Sequence, residues 1–242
     1  MTQLLRESGM REQHCHIGGI PAILYGKPSA RAYLFVHGQY GRKEEAEAFA
    51  DVVCPAGYQV LSIDLPEHGD RQGEHDLFNP WTVVPQLREV LGYMRSRWRD
   101  VGLRATSIGA HFSMLAFQGT ELRRALFVSP IVNMELLIAD MMQKAGVSEQ
   151  DLEARHEIVT DDGQTLSWRY LLWERKHPVV NWTCPTAILY ASGDVMTDRR
   201  TVETFADVHH ATLTVMDDGE HWFHTPAQLA ALRVWESSSI QE

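Results

Sequence analysis

The sequence predicts one α/β domain built on a mostly parallel sheet, and three observations carry that prediction. From residue 32 onward, short apolar runs alternate with segments of helical periodicity. Several of the runs stop at Gly, Asp or Pro, residues that punctuate strands. The chain has 242 residues, 44% of them hydrophobic, enough to bury one sizeable core. Strands separated by helices pair in parallel through right-handed crossovers.

The elements follow in order. EQHCHIGGIPAILYG reads as a hairpin around Gly18-Gly19, an antiparallel edge to the sheet. AYLFVHG (32–38) is a buried strand closed by Gly. Residues 44–57 have helical spacing, with Ala46, Phe49, Val52 and Val53 inward and a Pro-Ala-Gly stop. YQVLSIDLP (58–66) is a strand ending at Asp64 and Pro66. Residues 81–98 are amphipathic despite Pro85 near the start. LRATSIG enters a strand, residues 110–119 are helical, and 124–130 and 185–194 are further strands. Residues 197–210 form a helix capped by Thr197 or Asp198. The last strand is 211–219 and the last helix 225–236, with Pro226 in its first turn.

Residues 131–183 break the rhythm. MELLIADMMQKAG is helical, VSEQDLEARHE less clearly so, and LSWRYLLWERKHP is apolar and aromatic. The whole chain, 1–242, is expected to be one domain, with 131–183 a cap or lid inserted between two strands. An ordinary crossover helix with long loops is the plainer alternative.

Composition excludes several classes. A net charge of −10 argues against nucleic acid, which needs a basic face, and against an anionic membrane surface. No window approaches ~20 consecutive apolar residues, so no membrane span is expected. The opening residues lack an apolar segment with a small-residue cleavage site, so no signal peptide is expected. Cys15, Cys54 and Cys184 are an odd set without metal-type spacing, which points to reduced thiols in a cytoplasmic setting. His14 and His16 share a strand face and His209 and His210 are adjacent, but no H-E-x-x-H or Cys pair accompanies them. No metal is expected. No glycine-rich phosphate loop or dinucleotide fingerprint appears, so no cofactor is expected either.

The chemistry begins at RATSIGAHFSML, residues 104–115. Ser107 lies where a buried strand ends and a helix starts. In such an elbow the serine is held in a strained turn with its hydroxyl above the strand ends. Residues two positions away on either side must be small, and Ala105 and Gly109 are. Taken alone, this pattern more readily describes a helix N-cap or a buried turn serine. The surroundings add weight. VHGQYG (36–41) follows the first internal strand, and its His-Gly turn aims the Gln39 N–H inward. With the Ile108 N–H it makes a two-donor site for an oxyanion, each donor worth ~3 kcal/mol in a transition state. Asp194 follows the strand at 186–191, and His221 follows the strand at 211–216. Serine, aspartate and histidine thus stand at the carboxyl ends of three parallel strands, where open α/β sheets gather their ligands. In that arrangement His221 accepts the Ser107 proton and Asp194 orients the imidazole.

Five segments, HGQYG, DLPEHGDR, ATSIG, ASGD and GEHWF, occur in an order that resembles the α/β-hydrolase family over nearly the whole chain. Ala105 departs from the glycine more common in the family's elbow. The resemblance implies an α/β-hydrolase fold: about eight strands, mostly parallel, flanked by helices, with a small cap after the sixth strand. It also implies a serine hydrolase with Ser107, Asp194 and His221 as triad and the backbone N–H groups of Gln39 and Ile108 as oxyanion donors.

Competing positions are weighed beside these. Asp198 reads as a helix cap, and Asp217 and Asp218 as the turn supporting His221. His224 is a rival base, His111 either lines the cleft or packs between helix and sheet, and Ser113 is a helix residue. Cys54, at a helix end, and Cys184, before a strand, do not read as nucleophiles. Tyr40, Met134, Met141, Trp168 and Trp173 are expected to border the substrate, since Met and aromatic surfaces adapt to varied apolar groups. They alternatively serve only to bury the insertion. The expected activity is hydrolysis of small to medium carboxylic esters, with a small-molecule acyl substrate as partner. The alternatives are an amidase or peptidase, a C–C bond hydrolase, or a non-catalytic hydrolase-like receptor. Oligomeric state is not readable.

Overall fold

A computed structural model of the chain describes residues 3–5, 11–161 and 163–240. The elements run β1 Gln3–Leu5, β2 Arg11–Ile17, β3 Ile20–Tyr25, β4 Arg31–Val36, α1 Ala46–Val53, β5 Gln59–Ile63, α2 Pro80–Arg95, β6 Asp100–Thr106, α3 Ser107–Phe117 and β7 Ala125–Val128. Then follow α4 Met134–Lys144, α5 Glu149–Arg155, β8 Glu157–Val159, β9 Thr165–Ser167, α6 Trp168–Lys176, β10 Thr186–Ala191, α7 Arg199–His209, β11 Thr212–Met216 and α8 Pro226–Ser239.

The main sheet has the order β1-β2-β3-β5-β4-β6-β7-β10-β11. From β5 to β11 every neighbouring pair is parallel, and the β1, β2 and β3 side is antiparallel. The eight strands expected are therefore joined by a ninth, the three-residue β1 paired with β2. Gly18 and Gly19 close the β2–β3 hairpin at φ +55° and +88°. Two consecutive positive φ values suit a tight hairpin turn and strain any residue with a Cβ.

Alternation along the strands divides the core. Leu34 and Val36 of β4 join the apolar cluster that α2, α3 and α7 cover, with Leu87, Phe112 and Val202 in it. Tyr33 and Phe35 face the opposite cluster, covered by α1 and α8 through Phe49 and Trp235. Both faces of the parallel strands are buried, so β5, β7 and β10 are buried at every position, and β7 reads as an unbroken apolar run. Helix starts carry the capping chemistry expected of them. Asp198 caps α7, and Thr225 with Gln228 forms a reciprocal capping box at α8. A second box, Ser148 with Asp151, starts α5.

Two features differ from the sequence reading. Helix α3 begins at Ser107 itself rather than at residue 110. Between α5 and α6, β8 and β9 form a small antiparallel hairpin that the composition did not announce. Both strands are three residues long, too short for a readable alternation.

Candidate active site

The elbow is built by steric economy. Ser107 adopts φ +51°, a left-handed conformation unusual for a residue with a Cβ. Ala105 is fully buried in β6, between β4 and β7. Gly109 lies against the end of β4: a Cβ there would overlap the His37 carbonyl oxygen and lie 3.0 Å from that of Val36. Gly38 lies against the serine itself, and a Cβ on it would come within 3.3 Å of the Ser107 Cβ.

The three strand-end residues meet. His221 Nε2 is 2.9 Å from Ser107 Oγ, and His221 Nδ1 is 2.6 Å from Asp194 Oδ2. With Asp194 ionised, Nδ1–H donates to the carboxylate and Nε2 accepts from the hydroxyl. The Asp194 side chain is completely buried. Its second oxygen accepts the Met196 and Thr197 N–H groups at 2.8 and 3.1 Å, so the carboxylate is fixed on both sides. The aspartate and histidine loops are also laced together. Ser192 N donates to Met216 O, Gly193 N to Gly219 O, and Asp218 N to Ser192 Oγ.

The competing groups are engaged elsewhere. Asp198 accepts from Thr201 N at 3.1 Å as the cap of α7. His224 donates from Nδ1 to the Trp222 carbonyl at 2.7 Å. Asp218 occupies the turn before His221 at φ +55°. Ser113 donates back to Gly109 O within α3. Burial pushes the Cys54 thiol up to about 11 and the Cys184 thiol up to about 12, the opposite of what a nucleophilic cysteine needs. Among the described residues no three His, Cys, Asp or Glu side chains cluster as a metal site. Among them, too, no helix is long and apolar enough to cross a membrane.

Gln39 lies in a tight turn closed by Gly41 N to Gly38 O at 3.1 Å. Ile108 is in the first turn of α3, where N–H groups have no intrahelical acceptor. Both residues border one cavity beside Ser107. Two histidines hold the Gln39 turn. His68 Nε2 accepts from Tyr40 N at 2.8 Å, and its Nδ1–H donates to Pro66 O at 2.7 Å. His37 Nε2 accepts from Leu65 N at 3.0 Å, and its Nδ1–H donates to Gly38 O at 2.7 Å. An accepting Nε2 beside a donating Nδ1 makes both rings neutral. Burial drives the His37 pKa down to about 4. Below the turn, Lys43 Nζ meets Asp64 and Asp70 at 2.7 and 2.8 Å. Burial works against its charge, but hydrogen bonds to Asp64, Asp70 and Glu44 hold Lys43 above the ordinary lysine range. Sequence reasoning noted the segment that contains His68 without giving the histidine a task. A histidine one turn beyond a strand-end Asp was the available signal.

The cavity has a volume of about 1170 Å³. Tyr40, Met134 and Met141 line it, together with Leu137, Ile138 and Tyr170. Trp168 and Trp173 do not; this corrects the sequence reading. They border a separate surface groove with Leu172 and His177. Helix phase is the reason. Leu171 and Glu174 are buried, and at 100° per residue Leu172 and Trp173 point about 130° away from that direction while Trp168 lies at its flank.

No protein-family model matches the chain, and no curated protein matches it in sequence. Solved structures do resemble it. Est1E from Butyrivibrio proteoclasticus, with ferulic acid bound, superposes with a TM-score of 0.75 at 16% identity, covering 95% of this chain and 98% of that one. Mouse alpha/beta hydrolase domain-containing protein 10 gives 0.70 at 14% identity, covering 95% and 98%. The Pyrococcus furiosus esterase Pf2001 gives 0.65 at 14% identity, covering 99% and 87%.

Proposed function

The chain has the α/β-hydrolase fold, and on that fold we propose a serine hydrolase that cleaves small to medium carboxylic esters through an acyl-enzyme. One observation carries the reading: Ser107 Oγ, His221 and buried Asp194 form an unbroken relay of 2.9 and 2.6 Å on a serine held at φ +51°. In this mechanism His221 Nε2 takes the hydroxyl proton as Oγ bonds to the ester carbonyl carbon. The carbonyl oxygen becomes an oxyanion facing the Gln39 and Ile108 N–H groups. Collapse breaks the bond to the alkoxy oxygen, His221 returns its proton to the leaving alcohol, and the acyl group stays on Oγ. Water, deprotonated by the same imidazole, then releases the acid. Asp194 holds the imidazole in the required tautomer and stabilises the imidazolium. The acyl group occupies the cavity beside Ile108 and Met134, with residues 131–183 acting as its cap.

The test is a panel of p-nitrophenyl esters of increasing acyl length, with fluorophosphonate labelling of the same protein. Turnover and labelling are expected in the native chain. Ser107→Ala is expected to abolish labelling and to lower kcat by at least about 10³-fold. Labelling retained in the variant places the nucleophile elsewhere. No turnover at any length, with tight ligand binding instead, makes the chain a receptor.

A further inference from the structure

Behind the nucleophile, the body and the 131–183 segment share a buried polar contact that the reaction does not use. His111 is one helical turn beyond Ser107 on α3, and Glu174 belongs to α6. His111 Nε2 and Glu174 Oε2 are 3.0 Å apart, and the two residues are 2% and 5% exposed. An apolar pair would fill this place at no desolvation cost. A buried acceptor and donor persist here only if joined, since each alone is destabilising by about 1–3 kcal/mol or more. The pair therefore has one favourable arrangement, with α6 seated on α3.

The seating reaches the cavity. Tyr170 precedes Glu174 by four residues, so both lie on one face of α6. Tyr170 lines the cavity and meets Trp81, at the start of α2, edge-on at 6.0 Å. Arg169 lies over the same Trp81 ring at 4.0 Å. Helix α6 thus meets α3 through Glu174 and α2 through Trp81, and Tyr170 at the second contact is the residue that lines the cavity.

We propose that His111 and Glu174 are positioning residues that set acyl-chain specificity: by seating α6 on the nucleophile's own helix, they fix Tyr170 as the wall against which a longer acyl group packs. The inference rests on the hydrolase reading, and it deepens that reading by naming what selects the substrate. An acetyl group, which stops near Ser107, does not feel the clasp; an octanoyl group does.

Glu174→Leu and Glu174→Gln are compared with the native chain on p-nitrophenyl acetate and octanoate, and α6 is followed by hydrogen exchange. Leucine removes the acceptor, whereas the glutamine amide oxygen keeps it. For octanoate, Glu174→Leu is expected to lower kcat/KM about tenfold, mainly through KM. For acetate the change stays within about twofold, and Glu174→Gln restores octanoate to within about threefold. Exchange should quicken in α6 and stay unchanged in β6. A folded Glu174→Leu with the native octanoate-to-acetate ratio overturns the proposal. If that variant does not fold, Tyr170→Ala decides: its profile should shift relative to acetate, and an unchanged profile overturns the proposal. Should the native chain cleave no ester, the hydrolase reading fails. The exchange arm then still judges the clasp, because unaltered α6 protection in Glu174→Leu refutes it.

Discussion

Gly109→Ala adds one methyl group and should nearly silence the site. Its Cβ would point at the backbone of β4 where that strand runs into the Gln39 turn. It would overlap the His37 carbonyl oxygen and lie 3.0 and 3.1 Å from the Val36 oxygen and the His37 carbonyl carbon. Carbon and oxygen settle at about 3.3–3.6 Å, so α3 and the end of β4 must part by about 1 Å. No flexible side chain is available to yield, because every close atom belongs to the main chain. Overpacking of this kind destabilises by about 1–3 kcal/mol. The displaced parts carry the Ile108 and Gln39 N–H groups, and a shift of about 1 Å in such a constellation costs about 10²-fold in rate. Two measurements check this together: kcat/KM on a short p-nitrophenyl ester and the urea midpoint. The expected result is a folded protein with a midpoint lowered by the stated energy and activity down about 10²-fold. Native kcat/KM in Gly109→Ala would refute the claim that contact at this glycine sets the geometry of the site. Ala105→Gly is the control. It removes a buried methyl from β6 without moving the turn, so it should cost about 1 kcal/mol of stability and little activity.

The two nearby histidines separate cleanly. His221→Ala should reduce turnover by at least about 10³-fold with an unchanged circular dichroism spectrum, while His224→Ala, whose ring is tied to Trp222 O, should stay within about threefold. The reverse ranking would exchange their roles. Acid should weaken the fold through His37. Its folded pKa of about 4 lies below the usual 6.5, so below pH 6.5 the unfolded chain takes up a proton that the native ring refuses. The stability it supports is complete above pH 6.5 and falls by roughly 3 kcal/mol as pH drops to 4. His37→Gln keeps an acceptor for Leu65 N and should lose roughly 2–3 kcal/mol less between pH 7 and 4.5 in urea unfolding. Equal losses in both proteins would clear His37 of the effect.

Legibility followed locality. Ser107, Asp194 and His221 each follow a strand: strongly apolar β10 before Asp194, and the more mixed DVGLRAT and TLTVM before Ser107 and His221. Parallel pairing then brings their loops to one edge, and this follows from the alternation of elements alone. What failed to show depends on contacts between distant segments. The start of α3 was displaced because Ser107 has no helical preference, and its φ of +51° is imposed by Gly38, Gly109 and the strand beneath. Hydropathy along α6 favours Trp168 and Trp173 as inward residues, yet the buried ones are Leu171 and Glu174. Glu174 is buried because His111, 63 positions earlier, waits for it. Nothing within residues 168–176 reveals that partner.

Both flanks of the proposed reacting centre are held in backbone conformations that side chains resist. Ser107 is at φ +51° and Tyr40 at φ +63°. Each such residue costs about 1–3 kcal/mol and persists only where its surroundings over-determine it. For Ser107 the constraint is crowding by Gly38 and the close packing at Gly109. For Tyr40, whose side chain is 82% exposed, packing contributes little and the constraint has to be polar. The Tyr40 N–H is bound to His68, the ring of His68 is locked by Pro66 O, and Lys43 N is bound to Asp64. These bonds use His68 Nε2 and Asp64 Oδ1 as acceptors. The Gln39 turn is therefore preorganised by His68, Pro66 and Asp64 rather than by the Gln39 side chain. Replacing the Gln39 side chain leaves all of those bonds in place; replacing His68 releases Tyr40 from its strained conformation and lets the neighbouring peptide turn away.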